Sequence, residues 1–241
     1  MRIRHVLAGA TVVAGGLLLT ACDWDRTTTF SDSESLSGPV SEVRFANDSG
    51  DVKITVGDTF EVHRTVRYHN DKPGKTYHMD GRALVLENCP DRNCGVSYEV
   101  TVPKGTQVSG HVDSGDVELT GVAHVNVEAE SGNITVRDVD GAVNAKTQSG
   151  DVDLSAIGGN VVAGAESGNV TVGLTSANAV TATTSSGNVD VTVPKAGYQV
   201  DIQTDQDDSD GADVVNDIGD GTTGPKISLR TDSGSVTLKP A

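Results

Sequence analysis

A short phrase, Ser-Gly followed by Asp or Asn and then Val or Ile, recurs at Gly50, Gly115, Gly132, Gly150, Gly168 and Gly187, and Ser-Gly-Ser-Val closes the series at Gly234. Between Gly115 and Gly187 the steps are 17, 18, 18 and 19 residues. So short and steady a period demands an architecture in which each unit rests on the one before it. A propeller blade needs about 40 residues for its four strands. Eighteen leaves room for two or three short strands and their turns.

Four copies align from Val125, Val143, Val161 and Val180 as VNVEAESGNITV, VNAKTQSGDVDL, VVAGAESGNVTV and VTATTSSGNVDV. Before the turn the columns are Val125, Val143, Val161, Val180; then Val127, Ala145, Ala163, Ala182; then Ala129, Thr147, Ala165, Thr184. After it they are Ile134, Val152, Val170, Val189 and then Val136, Leu154, Val172, Val191. Neighbouring columns are two residues apart, so within a strand these side chains share one face. An antiparallel meander would put equivalent residues of alternate strands in different settings, whereas both strands of every copy keep the same columns. The pattern predicts an all-β, single-domain β-solenoid resembling a parallel β-helix, with rungs of about 18 residues over residues 41–241. Aromatics are only 3% of the chain, as expected of a coil too thin to hold rings.

The turn glycine supplies positive φ, and Asn or Asp after it tolerates the turn or bonds back to the backbone. Stacked rungs would place Asp116, Asn133, Asp151, Asn169 and Asn188 in one row, with no two Asp side by side, and Asp113, Glu130, Gln148, Glu166 and Ser185 in another. Like charges stacked at about 4.8 Å repel by about 1 kcal/mol in water.

From Gly50 to Gly115 is 65 residues and from Gly187 to Gly234 is 47, neither a multiple of 18. Insertions are implied. Residues 82–88 and 95–102 read as the two strands of an N-terminal hairpin insertion, with Cys89 and Cys94 at the base of its loop. In an oxidising exterior these two cysteines are expected to form a disulfide closing a small loop. Thr-Val-Pro-Lys occurs at Thr101 and at Thr192 and marks turns between rungs.

Arg2 and Arg4, an apolar run from Val6 to Ala21, and small residues before Cys22 have the layout of a secretory signal, and the run falls short of the 20 or so residues of a spanning helix. The ending Leu19-Thr20-Ala21-Cys22 resembles the bacterial lipoprotein signal. That resemblance implies removal of residues 1–21 and diacylglyceryl on Cys22, which two acyl chains make a stable anchor. The expected location is the outside of the cell membrane. Residues 22–40, polar and turn-rich, read as a flexible tether.

Formal charge is −16, and cleavage before Cys22 removes two arginines and takes it to −18. Nucleic acid is disfavoured as a partner, and cations or cationic polymers are favoured. No HExxH, GxSxG, Walker or Rossmann signature is present, and no His recurs beside the turn serines that could activate them. His63, His69 and His78 are close in sequence and read as surface histidines of a hairpin rather than a metal cluster. Asp208, Asp210, Gly211 and Asp217 match the third, fifth, sixth and twelfth places of an EF-hand loop, but Gln206 stands where the first carboxylate belongs. This acidic stretch is a weak calcium candidate. No cofactor is called for, and a carbohydrate-active β-helix enzyme is disfavoured by the shortage of aromatic sugar contacts.

The serial SG[DN][VI] turns, the Val-Pro-Lys joints and the final ISLRTDSGSVTL segment resemble the bacterial putative-adhesin family of β-strand-repeat proteins over about residues 40–239. The resemblance implies a non-enzymatic envelope lipoprotein, and with the acidic charge it gives a solenoid surface for adhesion or for interaction with a polymer or an envelope protein. A scaffold that senses envelope stress is the alternative.

Overall fold

The computed structural model describes residues 27–91, 93–204 and 213–241. Among them are 21 strands and no helix. The first seven are β1 (Thr28–Ser35), β2 (Glu42–Ser49), β3 (Val52–Val56), β4 (Glu61–Tyr68), β5 (Tyr77–Asp80), β6 (Ala83–Leu86) and β7 (Cys94–Val102). The regular middle follows as β8 (Gln107–Ser114), β9 (Val117–Thr120), β10 (His124–Ser131), β11 (Ile134–Val139), β12 (Val143–Ser149), β13 (Val152–Ile157), β14 (Val161–Ser167), β15 (Val170–Leu174), β16 (Val180–Ser186) and β17 (Val189–Val193). The last four are β18 (Gln199–Thr204), β19 (Val214–Asn216), β20 (Lys226–Ser233) and β21 (Val236–Pro240).

Each Ser-Gly turn passes the chain from one sheet to the other. The even-numbered strands β8 to β16 therefore stack in a 10-stranded sheet and the odd-numbered strands β9 to β17 in an 11-stranded one. Pairing in the middle is parallel and in register: Val125 lies beside Val143, Val143 beside Val161, and Val161 beside Val180. All five columns read from the sequence are buried. The solenoid expectation holds, and the meander is excluded by the parallel pairing.

The turn glycines form one continuous line. From Gly50 to Gly234 their φ angles lie between +118° and +147°, a region open essentially only to glycine. A Cβ on Gly115, Gly132, Gly150, Gly168, Gly187 or Gly234 would run into the carbonyl oxygen of the glycine one rung below. Backbone conformation and rung spacing therefore both require glycine here. Inside the line, the hydroxyls of buried Thr147, Thr184 and Thr231 donate to the carbonyls of Gly132, Gly168 and Gly187 at 3.0, 2.8 and 2.9 Å. Outside it, the Asn or Asp after each glycine accepts the backbone N–H of its counterpart in the next rung, from Asp51 through Asp116, Asn133, Asp151, Asn169 and Asn188 to Ser235. Asp51 extends this row beyond the five residues read from the sequence, and it stands beside Asp116, so two aspartates are adjacent after all.

At both ends the stacking order departs from chain order. β2 and β3 pair directly with β8 and β9, while β6 and β7 lie outside them. Likewise β20 and β21 slot between β16 and β17 on one side and β18 and β19 on the other. This explains the two long gaps between turn glycines: Gly50 is the neighbour of Gly115 and Gly187 of Gly234, with an outer rung made in between. Two expectations are corrected. Residues 82–88 and 95–102 are not a hairpin: β6 is in the 10-stranded sheet, paired with β5, and β7 is in the other, between β4 and β3. The Cys89–Cys94 disulfide, with Cα atoms 5.6 Å apart, thus lies where the chain passes from one sheet to the other. Nor is 22–40 a tether throughout, because β1 pairs antiparallel with β4 along its whole length.

Both Val-Pro-Lys joints end strands of the 11-stranded sheet, with Val102 and Val193 fully buried. The proline carbonyls receive the hydroxyls of Thr106 at 2.8 Å and Tyr198 at 2.9 Å.

Candidate functional site

Alternation puts every second residue of the 10-stranded sheet outside, and in-register pairing lines these residues up into rows across the strands. One row runs His111, Glu128, Lys146, Gly164, Thr183. The next holds the residues before the turn serines, Glu130, Gln148, Glu166 and Ser185. Gly164 leaves a gap in the first row, and the two rows together wall a shallow depression of about 550 Å³. A Cβ at Gly164 would meet the Thr183 hydroxyl at 3.3 Å, so the gap comes from a missing side chain rather than from a bend in the strand.

Glu128, Glu130, Lys146, Gln148 and Glu166 make no side-chain hydrogen bond or ion pair with another described residue. Some charges elsewhere are matched, as in Arg44–Asp80 at 2.7 Å, Lys53–Glu118 at 2.8 Å and Lys226–Asp201 at 3.2 Å. The depression thus offers three carboxylates, an amide and one ammonium group to whatever lies across it. Among the described residues none of its hydroxyls is hydrogen-bonded to a histidine or a carboxylate.

The other polar concentration is at the β1 end. Arg64 on β4, only 5% exposed, grips both oxygens of Asp32 at 2.7 and 2.8 Å. Its remaining donor reaches Gly74 O at 2.7 Å and Thr76 Oγ1 at 3.1 Å. The guanidinium holds the Asp32 carboxyl below its ordinary range, and Lys75 with the Tyr77 hydroxyl does the same for Glu34. Burial pushes the Tyr98 phenol up to about 12 while it bonds Thr76 and the Glu87 carbonyl.

Among the described residues no group of three or more His, Cys, Asp or Glu is placed to hold a metal. His63 bonds Ser33 at 2.7 Å, His69 bonds Thr27 at 3.1 Å, and His78 faces Glu87 at 3.7 Å, so the three histidines are not brought together. Of the calcium candidate, Asp217 is described and its amide donates to Leu238 O at 2.9 Å, while Asp208 and Asp210 lie outside the described residues. So does Cys22. Sequence reasoning named Glu130, Gln148 and Glu166 as a row but missed the depression; its one signal was Gly164, a glycine at an outward strand position in the copy VVAGAESGNVTV.

Residues 40–239 match the family described as Toastrack DUF4097. The chain belongs to this family. Comparison with curated proteins gives no match. Among solved structures, this Toastrack chain is similar to a putative cell adhesion protein from Clostridium sporogenes, with 11% identity, a TM-score of 0.36, and 89% of this chain and 100% of that one covered. It is also similar to a putative adhesin from Bacteroides fragilis, with 14% identity, a TM-score of 0.41, and coverage of 89% and 97%.

Proposed function

We propose that this is a non-enzymatic envelope protein, held to the outside of the membrane by lipid on Cys22, whose solenoid binds an extended polymer carrying positive charge along the outer face of the 10-stranded sheet. One observation carries the reading: three carboxylates, those of Glu128, Glu130 and Glu166, line one depression beside Gly164 and have no hydrogen-bond or ion-pair partner among the described residues. Desolvating unpaired carboxylates is unfavourable unless the ligand supplies counter-charge. An amino-bearing glycan or a basic polypeptide does so. Parallel strands about 4.8 Å apart repeat the acidic rows at intervals that suit an extended chain lying across them. The Leu-Thr-Ala-Cys ending supports the anchor.

The test is binding of the full chain to an amino-bearing glycan, to polylysine and to a neutral glycan, beside a Glu128→Gln, Glu130→Gln, Glu166→Gln triple variant. Loss of cationic-polymer binding in the triple variant, with folding intact, is expected. Equal retention by wild type and variant on the cationic polymers rejects this face as the site. Detergent phase partitioning of wild type against Cys22→Ala checks the anchor, which is refuted if both stay in the aqueous phase.

A further inference from the structure

β1 adds almost nothing to the core. Of its eight residues only Phe30 is even partly buried. It stays in place through the backbone ladder to β4, through hydrogen bonds of Ser31 and Ser33 to Thr65 and His63 on one face, and through three alternate side chains on the other. Phe30 meets the Tyr68 ring edge-on at 5.8 Å, and the Lys72 ammonium lies 4.0 Å from the centre of the Phe30 ring. Asp32 takes the double hydrogen bond from Arg64. Glu34 takes the Tyr77 hydroxyl at 2.8 Å and the Lys75 ammonium.

The seat is built without β1. Arg64 is buried and pinned from behind by Gly74 O and Thr76 Oγ1, and Thr76 is bonded by Tyr98. A guanidinium fixed in this way presents a planar fork suited to a carboxylate. Lys72, Lys75 and Arg64 form a basic cluster on a chain with net charge −16, facing an acidic strand. The seat therefore reads a pattern, aromatic-x-Asp-x-Glu, in an extended segment laid along the edge of β4 opposite β7.

We propose that this seat is a strand-acceptor site and that a second copy of the chain fills it with its own residues 28–35, so that two molecules join by exchanging β1. The ladder and the three side-chain anchors are the same whichever molecule supplies the strand, which makes exchange a low-cost route to a dimer. Between β1 and β2 the Leu36 N–H bonds Phe60 O at 2.8 Å, Val40 is buried and the Ser41 N–H bonds Arg82 O, which leaves Ser37, Gly38 and Pro39 as the hinge, with Gly38 at φ +110° and open space around it.

Deleting Ser37 and Gly38 removes roughly 7 Å of reach, so β1 no longer closes on its own β4. In a Cys22→Ala background the deletion variant is expected to double its mass by light scattering. Mass that stays monomeric at all concentrations overturns the proposal. Should the deletion impair folding, the natural hinge supplies a second measurement. Ser31 and Thr65 are register partners with hydroxyls 2.9 Å apart. Copies carrying Ser31→Cys are mixed with copies carrying Thr65→Cys, and a Thr181→Cys with Thr65→Cys mixture reports random collision. Faster disulfide formation in the first mixture, suppressed by a peptide of residues 27–35 but not by the same peptide with Asp32→Asn and Glu34→Gln, is the expected result. Equal rates in both mixtures overturn it.

Discussion

The middle of the solenoid, from Gln107 to Val193, and its N-terminal end, from Thr28 to Val102, reach a stacked β architecture by opposite means. In the middle every rung repeats one frame: small and branched inward side chains, one glycine line, and an outer Asn or Asp bonded to the next backbone N–H, with a Thr hydroxyl bonded to a glycine carbonyl added at Thr147 and Thr184. At the N-terminal end the pairing of β1, β4 and β7 is antiparallel, the interior takes in Tyr77, Tyr98 and Arg64, and a few polar groups hold several strands at once. The first design spreads stability over many equivalent contacts. The second concentrates it, so its failures should be local and abrupt.

The largest effect tests the claim of equivalence. Gly150→Ala forces a side chain into a φ of +136° and against the carbonyl of Gly132. A loss on the order of 3 kcal/mol or more in denaturant unfolding is expected. Gly81→Ala, at φ +60° with open space around it, should cost about 1 kcal/mol. Similar values for the two would mean that the glycine line tolerates side chains.

Arg64→Ala should come next, at about 2 kcal/mol, because it leaves Asp32 and the Gly74 carbonyl without their donor. The loss should be confined to one end: hydrogen exchange is expected to speed up in β1 and β4 and to stay unchanged in β10 to β15. The same strand should respond to acid. Asp32 and Glu34 both have lowered values in the folded state, so their contribution is complete above the ordinary carboxylate range. It is lost as pH falls through the lowered values. Protection of β1, taken relative to the intrinsic exchange rate at each pH, should therefore fall at acid pH in wild type, and much less so in Arg64→Ala. A fall of equal size in both would show that other groups control the response.

A smaller effect probes the outer row. Asn133→Asp removes the amide that donates to Asp116 at 3.2 Å and sets a carboxylate between Asp116 and Asp151. A cost of about 1 kcal/mol, shrinking at high salt, is expected. Asn126→Asp is the control, since it keeps the oxygen that accepts from Asn144; a salt-insensitive loss no larger than the control's would count against charge stacking. The smallest change should be a gain. Ala156 has φ +56°, and Ala156→Gly relieves that strain for a net stabilisation of under about 1 kcal/mol.

The same contrast explains what the sequence discloses. In the middle, the alternation at Val125, Val127 and Ala129 recurs every rung, so register, face and parallel pairing could all be read without coordinates. At the ends the alternation persists but says nothing about which strand is the neighbour, and β7 has the same pattern as the strand of a hairpin. β1 was invisible for a different reason: TTFSDSES buries no face and is held by ion pairs and backbone bonds, so it looks like any polar linker. The depression at Gly164 was equally hidden, because Glu, Gln and Lys in outward positions look the same whether they face solvent or a ligand.

The unbroken line of glycines also limits how such a chain can change length over evolutionary time. An insertion of one whole rung adds a glycine to the line, keeps every inward residue inward, and leaves both closed ends intact. Half a rung would exchange the two sheets for everything downstream and misplace the next glycine. Growth by duplication of complete units is therefore the tolerated path, and the aligned copies between Val125 and Val191, which keep the same columns and the same turn, have the form such events leave behind.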